Sequence, residues 1–193
     1  MSFIHRRQGP LPLFGAGALL VALAGIPLEA AAAPVVVFDS FSGGSSATNR
    51  GAGSSPGSMI TVSNNNHTLA QVAVLVDLNS GGNLKFVVFD HANHQLLYVS
   101  PPKFFADDGK TWKVSNTFSL NLVAGKTYDI GAISDVGGSW AFDSTATVMG
   151  DFKSTVQNPN FSNYASPSAG GHAVAYGAVR CYDDTSKCGD GKV

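Results

Sequence analysis

Glutamate is almost missing from this chain. Of the 13 acidic residues among 193, Glu29 is the only glutamate; the others are aspartates. Glutamate suits helix interiors, whereas aspartate suits caps and turns, so the skew argues against a helical fold. A sustained 3.6-residue apolar period is lacking too, which removes amphipathic-helix bundles. Neither sign of charge dominates, with 12 Lys and Arg against 13 Asp and Glu and a net charge of −1. That balance excludes an electrostatic footprint for nucleic acid and a polybasic membrane patch. The two cysteines, Cys181 and Cys188, have no histidine nearby and make half a zinc site at most. Their spacing is not the C-x-x-C of redox motifs. No serine or cysteine stands in a nucleophile-elbow context, and no pair of carboxylates is marked out for glycoside hydrolysis.

What is present begins with an address. His5, Arg6 and Arg7 form a basic start, residues 11–26 are apolar, and Ala30, Ala31, Ala32 and Ala33 supply small residues for cleavage. This order predicts a secretory signal peptide over 1–32, cut after Ala32. A membrane span needs about 20 apolar residues, and this stretch carries Pro12, Gly15, Gly17 and Gly25, so no membrane span is expected. There is no lipid-accepting cysteine at the cut and no sorting helix at the end, which predicts a soluble periplasmic or extracellular protein. Removing Arg6, Arg7 and Glu29 takes the net charge from −1 to −2. In an exported protein the two cysteines are expected to form a Cys181–Cys188 disulfide that pins the tail 181–193.

The remaining residues, 33–193, read as one domain of short strands. Residues 35–38 alternate little but are apolar. Residues 42–58, 17 residues of which 11 are Gly or Ser, read as a flexible loop. Strand signals follow at 59–62, 69–78, 84–90, 95–100, 111–114, 117–122, 127–134, 139–143, 147–152 and 173–182. His91, Ala92, Asn93 and His94 form a four-residue hairpin loop. In 69–78, Val72, Val74, Val76 and Leu78 share a face; in 117–122, Phe118, Leu120 and Leu122 do. Strands with one apolar face must cover one another. The expected fold is therefore all-β, a two-sheet antiparallel sandwich of jelly-roll type.

A resemblance supports that expectation. Leu84-Lys85-Phe86, Phe89-Asp90, Leu96-Leu97-Tyr98, Gly109-Lys110-Thr111-Trp112 and the run from Phe118 through Ala124-Gly125-Lys126-Thr127-Tyr128 resemble jelly-roll modules of bacterial secreted and cell-surface proteins. Some of those modules bind carbohydrate. The resemblance implies a fold and an extracellular glycan or surface polymer as partner, and it contains no catalytic motif.

Candidate ligand-binding residues are aromatic, because flat rings cover the apolar faces of sugars while polar groups fix orientation. Trp112 follows a turn, Trp140 follows Gly137-Gly138, and Phe161 and Tyr164 lie in a polar stretch, 153–171, that reads as a long loop. The competing reading places both tryptophans at the core and uses the loop aromatics to pin the loop. Phe-Asp recurs at Phe38-Asp39, Phe89-Asp90 and Phe142-Asp143. Asp107, Asp108, Asp135 and Asp143 are the candidate ligands of a structural calcium ion, against the plainer role of capping turns. His91 and His94 could share a metal, but their loop offers no third ligand. The sequence thus predicts a secreted, non-catalytic glycan-binding module. The alternatives are a matrix protein that forms homo-oligomers through its N-terminal strand, and a secreted hydrolase.

Overall fold

The computed structural model describes residues 33–43, 46–155, 158–173 and 176–183. The expected signal peptide, 1–32, and Cys188 lie outside the described residues. Among those described there is no helix, and none long and apolar enough to cross a membrane. The strands are β1 (Val35–Asp39), β2 (Ala47–Arg50), β3 (Ser54–Pro56), β4 (Ser58–Val62), β5 (His67–Leu78) and β6 (Gly82–Asp90). Next come β7 (Gln95–Val99), β8 (Lys103–Phe105), β9 (Thr111–Val114), β10 (Leu120–Leu122), β11 (Thr127–Ser134) and β12 (Gly138–Asp143). The series closes with β13 (Val148–Met149), β14 (Phe152–Ser154), β15 (Asn158–Ser162), β16 (Ser168–Ala173), β17 (Tyr176–Gly177) and β18 (Val179–Asp183).

These strands build antiparallel sheets. An 8-stranded sheet is ordered β1-β18-β5-β12-β17, with β9 and β10 also on β5 and β2 on β12. A 7-stranded sheet is ordered β13-β14-β4-β11-β6-β7, with β8 also on β6. The two meet at one core. Val72, Val74, Val76 and Leu78 enter it from β5, Phe38 from β1 and Val179 from β18; Ile60, Val62, Leu84, Phe86, Val88 and Ile130 enter from the other sheet. All-β architecture with facing sheets therefore holds.

A third sheet was not expected. β16-β15-β3 forms a 3-stranded sheet against the outer face of the 7-stranded one. Its cause is visible in β6, where Phe86, Val87, Val88 and Phe89 are all buried. A strand alternates sides, so Phe86 and Val88 serve the main core while Val87 and Phe89 need a second cover. Phe161 on β15 supplies it, stacked on Phe89 with ring centroids 5.6 Å apart, alongside Ile133. Gly131 makes the room: a Cβ there would stand 2.7 Å from the Phe161 ring.

Two Gly- and Ser-rich segments thus depart from expectation. Residues 42–58 are not a loop throughout but contain β2, paired to β12, and β3, paired to β15. Much of the 153–171 stretch is the β15–β16 hairpin. In both cases pairing with distant strands supplies order that local composition does not. The N-terminal strand β1 is taken up by its own sheet, with Val35 opposite Asp183 and Asp39 opposite Arg180.

The expected disulfide needs correction. Cys181 is a free thiol, buried in the main core from β18. Alternation along β18 turns it inward beside Val72, and burial pushes the thiol far above its ordinary range.

Candidate functional site

The outer face of the 7-stranded sheet brings several polar and aromatic groups together. Leu84 and Phe86 point into the core, so Asn83 and Lys85 project from β6 on the opposite side. Lys85 Nζ lies 4.6 Å from the centroid of the Tyr164 ring and donates to the Tyr164 carbonyl at 3.0 Å. Asp135, just past β11, accepts from the Asn83 amide N–H and from Asn83 Nδ2, each at 2.7 Å. Burial pushes the Tyr164 phenol up, and the nearby Asp135 charge adds to the rise. On the far side, Phe104 of β8 stands opposite Asn83 and is 67% exposed. Val99 of β7, also exposed, stands opposite Val87.

The turn holding Tyr164 is tightly specified. Asn163 adopts φ of 65°, a left-handed conformation that asparagine tolerates better than most residues. Its amide donates to the Gly53 carbonyl at 2.9 Å, and its side chain accepts from the Ser166 amide at 3.2 Å. The ring of Tyr164 is therefore positioned rather than loose.

The other aromatic candidates lie elsewhere. Phe161 is fully buried, and Trp140 faces the main core at 1% exposure, so neither ring offers a face to a ligand. The competing reading, in which they pack the interior, describes both. Trp112 sits on the outer face of the 8-stranded sheet, opposite Leu75. The Arg180 guanidinium covers it at 3.9 Å from the ring centroid, and Phe41 meets it edge-on. Of the four predicted rings, Tyr164 alone joins the cluster described above. Asp135 joins it too, as a partner of Asn83. Lys85, Asn83 and Phe104 escaped the sequence reading, although the inward alternation of Leu84 and Phe86 already placed Lys85 and Asn83 outside.

Among the described residues no three carboxylates are placed as a group that could hold a metal ion, the four aspartates proposed for calcium included. Asp107 is exposed, and Asp108 pairs with Lys113 and accepts from Thr111 at 3.1 Å. Asp143 accepts from the Ser42 amide and hydroxyl and from the amides of Ser144 and Thr145. Burial works against its charged form, but these donors outweigh it and hold the carboxyl below the usual range. The recurrent Phe-Asp pairs have a local explanation. Asp39, Asp90 and Asp143 each accept from the amide two residues on, in Phe41, Ala92 and Thr145. Each is a turn-forming aspartate that ends its strand.

Two histidine clusters complete the picture. His67, at the start of β5, has Nδ1 2.9 Å from Asp183 and Nε2 3.2 Å from Asp151, and its ring meets that of Phe152 at a tilt, with centroids 4.6 Å apart. It borders a cleft of about 370 Å³ with Val37 and Met149. His91, in the β6–β7 turn, has Nδ1 2.9 Å from Asp129 on β11, and His94 Nδ1 lies 3.9 Å from the same carboxylate. A second cleft, about 270 Å³, opens beside it between Asp90, His91 and Lys126. Lys126 pairs with Asp90 at 3.3 Å. The Ala92 amide, helped by Lys126, holds the Asp90 carboxyl below its usual range against burial.

The fold and these sites define an all-β protein whose surface features are polar clusters on sheet faces and turns. No protein-family model, curated protein or solved structure matches this chain.

Proposed function

We propose that this protein is a secreted, non-catalytic β-sandwich module of jelly-roll type that binds an extracellular glycan or surface polymer. The observation that carries this reading is the cluster of Tyr164, Lys85, Asn83 and Asp135 beside the exposed Phe104 ring. Sugar recognition draws on such a mixture, with rings against apolar sugar faces and fixed polar groups for the hydroxyls. The basic start and apolar stretch at 1–32 support export.

Polysaccharide pull-down and a glycan array test the reading, using wild type, Phe104→Ala and Tyr164→Ala. Phe104 is exposed, so its substitution leaves the fold intact. Retention is expected to fall about tenfold in each variant, the equivalent of about 1.4 kcal/mol. Unchanged retention in both variants, or none by the wild type on any polymer, removes the proposed surface.

A further inference from the structure

The β6–β7 turn contains two imidazoles at H-x-x-H spacing, and sequence alone supplied no third ligand for a metal. The fold supplies one. β11 runs antiparallel to β6 with Asp129 opposite Phe89, which sets the Asp129 carboxylate beside the base of the turn. Asp129 is fully buried, whereas the His91 and His94 side chains are 28% and 48% exposed. The Nδ1 atoms of both rings face this single carboxylate, one on each oxygen. His94 achieves this from φ of 55°, a left-handed conformation uncommon outside glycine.

The geometry points to a divalent transition-metal site formed by His91 Nδ1, His94 Nδ1 and the Asp129 carboxylate. It is independent of the glycan surface proposed above. Zinc binds histidine nitrogen and carboxylate oxygen at about 2.0–2.2 Å, so tetrahedral donors stand about 3.3–3.5 Å apart. His91 Nδ1 lies 2.9 Å from Oδ1 of Asp129 and His94 Nδ1 3.9 Å from Oδ2, so each ring approaches its own oxygen of the carboxylate. As they stand, no group of three such donors among the described residues is placed to hold a metal ion, so the site forms only when the imidazoles turn onto the carboxylate. Closure requires both rings to turn toward one ion, a motion open to side chains that are partly exposed. Two imidazoles and one carboxylate select zinc, nickel, copper or cobalt over calcium, which prefers oxygen. The metal takes the lone pair of each Nδ1, so a neutral ring carries its one hydrogen on Nε2 and an imidazolium must first give up a proton; binding therefore weakens in acid. Asp90 next to His91 adds negative charge, and Lys126, bonded to Asp90, offsets part of it.

Titration calorimetry with zinc chloride near neutral pH, on wild type and His94→Asn, tests the site. Asparagine tolerates the left-handed backbone at this position. Wild type is expected to take up one zinc ion, with affinity falling at least tenfold in His94→Asn. Asp129→Asn is expected to fall likewise, and proton–nitrogen spectra of the imidazoles should show His91 and His94 with Nδ1 on the metal and the ring hydrogen on Nε2. Equal affinity in wild type and His94→Asn, zinc contacts on other histidines, or no uptake at millimolar zinc each overturns the assignment.

Discussion

The two histidine clusters invert each other's composition. At His67 one imidazole stands between two carboxylates, Asp151 and Asp183; at the β6–β7 turn one carboxylate stands between two imidazoles. Carboxylates only accept hydrogen bonds, so His67 uses a nitrogen on each side to join them. Asp151 takes further bonds from Asn64 and Asn65, and Asp183 from the Thr68 amide. This cluster ties the β13–β14 turn and the end of β18 to the start of β5. The other cluster sits at one turn and holds partly exposed bases around a buried acid. The same two residue types thus make a clasp in one ratio and a donor set in the other.

Replacing His67 is the sharpest way to break this comparison. His67→Ala leaves two carboxylates without the donor between them and removes the ring from Phe152. Hydrogen bonds to charged groups contribute about 1.5–3 kcal/mol each, and a loss of that size is expected in urea unfolding. A change of a few tenths would show that the clasp holds nothing.

The next effect is electrostatic. The Asn65 side chain first, then His67 and Asn64, hold the Asp151 carboxyl below the ordinary carboxylate range. A lowered folded value means stabilisation that is present at neutral pH and lost as pH falls through that value. In Asn65→Ala the carboxyl should titrate closer to the ordinary range, as read by carboxyl carbon NMR. An unmoved titration would separate Asp151 from the clasp.

The smallest effect belongs to the other cluster. His94→Asn, at an exposed turn, is expected to change unfolding free energy by less than about 0.5 kcal/mol. A loss comparable to that of His67→Ala would make both clusters structural and erase the contrast.

Much of the strand pattern was legible. The reading of 127–134 coincides with β11, and the shared face of Val72, Val74, Val76 and Leu78 lies on β5 as its alternation requires. The turn 91–94 also lies where the flanking apolar runs place it. Order in β2, β3, β15 and β16 was not legible, because Ser, Gly and Asn give little periodicity and their partners lie far along the chain. Within the sites, Tyr164 was visible as an aromatic in a polar segment. Asp129 was not visible as a partner of His91, since 38 residues separate them and only the β6–β11 register joins them. Phe161 looked like Tyr164 in sequence, and the gap left by Gly131 is what turns it inward.

The pairing of β1 with β18 has a consequence for synthesis. Of the described strands, the first finds its sheet partner in the last, Val35 opposite Asp183, so the 8-stranded sheet is completed only after both have been made. Such distant pairing slows folding. Among the described strands β1 is an edge whose one sheet neighbour is β18, so it can join the sheet only once β18 is in place.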